Sequence, residues 1–167
     1  MNTAVKFGIY TGISVAVWTI IMVLTGWFKD PILLNLFWMV VIFQFVLLYI
    51  GLKKSSIEAR VNGEFGKSYT ELIKNGLLIT IIAGVLIFFS SLLFTTQIYP
   101  EYFNELRETY QQILTSSGKS EIEIEKLLEE NSKTQTPFLQ ALFGFIGTFL
   151  TGLLGSSIFS AIFRKRE

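Results

Sequence analysis

The sequence predicts an all-α integral membrane protein of four transmembrane helices, running up and down, with an extracytoplasmic amphipathic helical hairpin between spans 3 and 4. Three observations predict it. Four apolar stretches are fenced by charge: Lys6 to Lys29 and Asp30 to Lys53 each enclose 22 residues without an ionisable side chain, Lys74 to Glu101 encloses 26, and Lys133 to Arg164 encloses 30. At about 1.5 Å per residue, 22 helical residues reach roughly 33 Å, enough for a hydrocarbon core of about 30 Å. Second, 51% of residues are hydrophobic and only 16% charged, with the charge gathered between the stretches and at the ends. A water-soluble helix needs a wet face, so a soluble fold of this length would scatter that charge along every helix. Third, the segment from Glu101 to Lys133 changes character: it carries eight glutamates and an apolar stripe at helical spacing.

The spacing predicts spans over about residues 5–28, 31–52, 72–98 and 137–163, a cytoplasmic loop over 53–71 and the outer hairpin over 100–132, all within one membrane domain covering 1–167. The first stretch reads as a retained span. A cleaved signal peptide has an apolar core of about 7–15 residues and a small-residue cleavage site, whereas the run from Phe7 to Phe28 is longer and carries Trp18 midway. Asp30-Pro31 reads as an N-cap and first helical residue, which starts the second span at once. Asn62-Gly63 in the following loop is a turn dipeptide; its flanking alternation is short, and an ordinary surface loop is the better reading than a β-hairpin.

The acidic segment reads as two helices. Pro100 can open the first, followed by the stripe Tyr102, Phe103, Leu106, Tyr110, Ile113 and Leu114. Gly118 stops it, and Ser120 with Glu123 forms a capping-box pattern opening the second, with Ile124, Leu127 and Leu128 on one side. Its glutamates ride on a regular helix and diverge around it, so they read as a solvated face rather than a cation site, which needs oxygens converging from a loop.

Orientation follows from the basic residues, which stay on the cytoplasmic side. Lys6, the 53–74 region and the tail hold nine of the 14 basic residues; the opposite side holds Lys29, Arg107, Lys119, Lys126 and Lys133. Both termini are therefore expected in the cytoplasm of a plasma (inner) membrane, with the acidic segment outside. Trp27, Tyr99 and Tyr102 fall at the outer boundary and Tyr49 and Tyr69 at the inner one, where amphipathic rings prefer to lie. Trp18 and Trp38 fit no belt and read as packing residues.

Small residues recur every fourth position in three spans: Ala4, Gly8, Gly12 and Ala16; Gly76, Thr80 and Gly84; and Gly144, Thr148, Gly152, Ser156 and Ser160. Lipid offers no hydrophobic drive between helices, so association rests on close packing, which such ridges permit. The fourth span reads as the central packing element against the first and third, with the ridgeless second span facing lipid. A homo-oligomer contact is the alternative use of the same ridges. Gln44 is the midplane polar residue; a packing amide that hydrogen-bonds across a helix interface is the expected role.

The chemistry the chain lacks is equally informative. No Cys and no His is present, and every acid and base lies at or outside a predicted span boundary. Thiolate chemistry and the commonest general base and metal ligand are excluded, and proton-driven pumping has no embedded charge to work with. The expected reading is a non-catalytic membrane protein without cofactor or metal, structural or accessory, meeting the bilayer and either a second copy or a membrane or periplasmic protein through its acidic hairpin. The alternative is a channel or carrier for a small neutral solute lined by the Gly/Ser/Thr strip of span 4. Without a basic stripe on a soluble domain, nucleic acid is not an expected partner.

The stretch Ala141-Leu142-Phe143-Gly144-Phe145-Ile146-Gly147-Thr148, ending in Phe163-Arg164-Lys165-Arg166, resembles the C-terminal signature of a small bacterial membrane-protein family, domain of unknown function 4199. Ala4-Val5-Lys6-Phe7-Gly8, Phe65-Gly66-Lys67-Ser68-Tyr69 before Lys74-Asn75-Gly76, and Tyr99-Pro100-Glu101-Tyr102 match it as well. The resemblance covers essentially the whole chain. It implies four spans and an extracytoplasmic helical hairpin, no activity, and no catalytic residues to carry over.

Overall fold

The computed structural model describes residues 2–62 and 66–164. Among them there are six α-helices and no strand: α1 (Thr3–Leu24), α2 (Met39–Val61), α3 (Tyr69–Leu93), α4 (Tyr102–Ser116), α5 (Glu121–Ser132) and α6 (Pro137–Phe163). Four helical stretches, Thr3–Leu24, Leu33–Val61, Tyr69–Ile98 and Pro137–Phe163, are long and apolar enough to cross a membrane. Their outward faces carry Ile13, Leu24, Ile42, Phe89, Leu150 and Leu154, all exposed. So much contiguous apolar surface suits hydrocarbon and would be an aggregation hazard in water.

Local chemistry sets the helix ends. The Asn2 side chain caps α1 by accepting from the Ala4 N–H, and Gly26, at φ 71°, turns the chain out of it. The expected α-helical start at Pro31 is not what forms. Asp30 accepts from the N–H groups of Ile32 and Leu33 at 2.7 and 3.0 Å, and the chain enters a tight 3₁₀ stretch over Leu33–Trp38 before α2 begins. The Leu36 carbonyl in that stretch is taken by the Trp18 indole N–H at 3.1 Å.

At its other end α2 runs on to Val61, nine residues past the limit expected near Leu52, so half of the expected loop is helix. Partners for its last turns explain the extension. Ser55 accepts from the Asn75 amide at 2.8 Å, Ser56 donates to the Phe163 carbonyl at 3.1 Å, and Thr3 donates to Glu58. Of the Asn62-Gly63 turn, Gly63 lies outside the described residues, as do Lys165 and Arg166 of the basic tail. A capping box of Ser68 and Glu71, unremarked in the sequence reading, opens α3. A π turn over Phe94–Ile98 closes it, the Tyr99 N–H reaching the Phe94 carbonyl at 2.7 Å. Pro100 is not the first helical residue: it sits in a turn ahead of Glu101, which takes the N-cap position of α4.

The packing corrects the expected centre of the bundle. It is α3, not α6, that packs against all three other long helices, most extensively α6 and α1; α6 meets α3 and α2, and α1 stands across the bundle from α6. The reason is that α3 has two usable faces. Gly76, Thr80 and Gly84 accept α6, while Ile79, Ile82, Ala83 and Leu86 press into the glycines of α1. Contacts pair Gly8 with Ile79 and Ile82, and Gly12 with Ala83 and Leu86, so α1 and α3 run in the same direction. Gly76 meets Ser156 while Gly84 meets Phe145, so α3 and α6 run oppositely. The ridgeless α2 is the least enclosed of the four.

Two apolar clusters close the bundle. At one end Ala4, Phe7, Leu48, Leu52, Leu72 and Ile79 are buried together, with Phe159 and Phe163 against them. At the other, Val23, Phe28, Phe94, Tyr102 and Leu106 join the ends of α1 and α3 to α4. Trp18 packs as expected, edge-on to Trp27 and Phe43. Trp38 does not: it is 73% exposed, because the 3₁₀ stretch turns it away from the bundle.

Candidate functional site

Three places hold the polar and small residues on which a role could rest: the glycine seam, the cavity above Gln44, and the junction between α4 and the bundle. In the seam, a Cβ added at Gly152 would lie 1.8 Å from Thr80 Cγ2, and one at Gly76 2.0 Å from Ser156 Oγ. Gly8, Gly12 and Gly84 leave 2.8, 2.7 and 2.8 Å to Ile82, Leu86 and Phe145. Gly144 is looser, with Ile87 Cγ2 at 3.3 Å, and Gly147 has nothing within 4 Å. The missing side chains are therefore what lets α3 approach both neighbours, the geometry that lipid-phase packing requires. Gly152, Ser156 and Ser160 are buried among the helices, whereas Gly144 and Thr148 of the same strip line a cavity.

Thr148 sits where the seam ends. It is 2% exposed, and its hydroxyl accepts from Gln44 Nε2 at 3.1 Å across 104 residues of sequence. That bond ties α2 to α6. It serves only one end of the amide: Gln44 Oε1 is buried with no partner among the described residues. An unmade bond at a buried acceptor costs about 1–3 kcal/mol. Beside it a cavity of about 370 Å³ opens among α1, α2, α3 and α6, lined by Val15, Val41, Ile87, Phe143, Gly147 and Thr151 with a few polar groups. Sequence reading found Gln44, Gly144 and Thr148 but not the space they border. Its lining comes from four helices far apart in the sequence, so no local pattern marks it.

The junction holds a polar cluster outside the spans. Lys29 Nζ lies 2.8 Å from Glu105 Oε1, and the Tyr99 hydroxyl donates to Glu105 Oε2 at 2.7 Å. Beneath them Phe28, fully buried, meets the rings of Tyr99 and Tyr102 at 6.5 and 5.4 Å. Tyr102 accepts from Gln140 of α6 at 3.3 Å, and burial pushes its phenol pKa up. The sequence marks Lys29 as a fence and counts Glu105 only among the eight glutamates of the outer segment; nothing in their local context pairs them.

Desolvation pushes the Glu105 carboxyl upward, but the hydrogen bonds from Lys29 and Tyr99 outweigh it and its pKa is lowered. The hydrogen bond to Glu105 raises the Lys29 pKa, and the same acceptor, with desolvation, raises that of Tyr99. A lowered carboxyl pKa stabilises docking above its unfolded value, about 4.3, and that contribution is lost as pH falls through the folded value. A raised ammonium pKa stabilises below its unfolded value, about 10.4, and is lost as pH rises through the folded one. The near-ultraviolet circular dichroism of the Phe28–Tyr99–Tyr102 cluster should therefore hold steady between about pH 5 and 9 and decline below about pH 4. In Glu105→Gln the acid-side decline should shrink; an unchanged acid limb would remove Glu105 from this role.

Among the described residues no three His, Cys, Asp or Glu side chains converge as a metal site. Four membrane-length apolar helices around a close-packed glycine seam put this chain in the class of multi-pass α-helical membrane proteins. It belongs to the family described as protein of unknown function DUF4199, whose sequence model matches residues 6–165. No curated protein and no solved structure matches the chain.

Proposed function

We propose that the protein is a non-catalytic, multi-pass component of the plasma (inner) membrane, an accessory or structural subunit that meets a protein partner through α4 and α5. In this reading the four apolar helices cross the bilayer up and down, both termini and the α2–α3 connection lie in the cytoplasm, and α4 and α5 lie outside. The single observation that carries the proposal is the anchoring of α4. Tyr102, Leu106 and Thr109 are buried against the bundle end, and Lys29–Glu105 clamps the edge, while Glu121, Glu125, Glu129 and Glu130 of α5 remain exposed. An acidic helix held on an anchored neighbour is prepared to meet a partner without ordering itself first, which lowers the cost of binding. Burial of Gly152, Ser156 and Ser160 among the helices supports this reading over a solute path along span 4.

The cysteine-free sequence makes topology easy to test. Glu125→Cys should react with a membrane-impermeant maleimide on intact cells, and Lys54→Cys only after the membrane is opened. Reaction of Lys54→Cys alone on intact cells would reverse the orientation. Crosslinking through the Glu125→Cys thiol should then recover a stoichiometric partner or a defined oligomer; a monodisperse monomer without one would remove the accessory role.

A further inference from the structure

The cavity beside Gln44 has three properties that together specify an occupant. Its lining includes the buried Gln44 amide, which meets the Thr148 hydroxyl at one end only and leaves the other, Oε1, unpartnered. Its walls are mostly apolar, with Val15, Val41, Ile87 and Phe143 among them. Its mouth also lies at membrane depth. Gly147, on that mouth, is exposed and its missing side chain leaves open space. Ten residues along α6 from Pro137, it lies about 15 Å into the helix, near the middle of a core about 30 Å thick. Trp38 and Phe143, 73% and 54% exposed, border the same opening.

We infer that this cavity is a binding site for a neutral, hydroxyl-bearing lipid that enters sideways from the bilayer and, as the buried Gln44 amide turns toward it, donates to Oε1. A volume of about 370 Å³ lies within the 300–1,000 Å³ range of ligand pockets, at its small end. It takes the hydroxyl end of such a molecule and the adjoining part of its chain, and leaves the rest in the membrane. A charged headgroup is excluded by the surroundings, because no ionisable side chain lines the cavity and burying an unpaired charge at that depth is costly. The inference rests on the bilayer placement proposed above, but not on the accessory role of α4 and α5.

The test is native mass spectrometry of the full chain released from detergent, titrated with 1-monooleoylglycerol and, separately, with methyl oleate, which has the same chain and no donor. One 1-monooleoylglycerol should bind per chain, at least ten-fold more tightly than methyl oleate. Gln44→Leu should weaken it at least ten-fold while leaving methyl oleate unchanged. Gly147→Phe, whose Cβ starts in open space, should block both. Circular dichroism and gel filtration keep these variants interpretable, because Thr148 freed by Gln44→Leu can bond back to its own helix.

Equal affinity of wild type and Gln44→Leu, or of the two lipids, would overturn the proposal. Competition by free glycerol would also overturn it, by moving the source to water. So would a change of oligomeric state in Gly147→Phe without loss of lipid, which would assign the mouth to a second copy. Failure of the bilayer placement reads out separately: the protein would then remain in solution when membranes are sedimented without detergent.

Discussion

Gly152→Ala is expected to destabilise the bundle by about 1–3 kcal/mol, the usual range for overpacking, through one added methyl group. The new Cβ would lie 1.8 Å from Thr80 Cγ2 and 2.5 Å from Thr80 Cβ. Turning the threonine side chain relieves the first clash but not the second, so α3 and α6 must move apart. That separation also loosens Gly76 against Ser156, on the same seam. Thermal unfolding in mild detergent should show a lower melting temperature for Gly152→Ala and no change beyond about 0.5 kcal/mol for Gly147→Ala, which points into open space. Adding Thr80→Gly to Gly152→Ala should recover much of the loss, a coupling that only residues in contact show. If both single alanine variants melt alike, the seam is not what holds α3 to α6.

Phe28→Ala is expected to cost about 3–5 kcal/mol, the range for removing a buried aromatic ring. Phe28 is fully buried in the turn after α1 and meets Tyr99, Tyr102 and the buried end of α3 at once. Without it the Lys29–Glu105 pair and the Tyr99 hydrogen bond would have to hold α4 alone, and exposed ion pairs contribute little. The expected signature is regional. Hydrogen exchange should accelerate across α4 and α5, while α3 and α6, joined by the separate glycine seam, keep their protection. Uniform acceleration through all six helices would mean that the outer cluster and the bundle are one cooperative unit. Unchanged exchange in α4 would show that Phe28 does not anchor it.

The elements that were legible in the sequence share a property: their signal is local. The four spans announce themselves by apolar stretches of more than 20 residues unbroken by any ionisable side chain. The Ser120–Glu123 capping box and the Gly118 turn, at φ 75°, depend on residues within a few positions of each other. Gln44 stands out because a midspan amide is conspicuous. Where expectation missed, a distant partner had intervened. Trp18 takes the Leu36 carbonyl in the 3₁₀ entry to the second span. Asn75 and Phe163 support the last turns of α2 that composition assigned to a loop. The central position of α3 was hidden because a ridge of small residues says that a helix is approached closely but not by which neighbour.

Taken alone, the sequence determined that the chain is helical, that four of its helices are long and apolar enough for a bilayer, and where small residues leave room for contact. Those properties follow from backbone hydrogen bonding within each helix and from the transfer free energy of its own side chains, which need no neighbour. Only the tertiary structure decided that α3 is gripped from both sides, that Phe28 and Glu105 hold α4, and that Gln44 keeps an unused acceptor beside open space. Each of these depends on which faces meet. In lipid that choice turns on fit at distances of an ångström or less between residues far apart in the chain, as the 1.8 Å left to Thr80 at Gly152 shows.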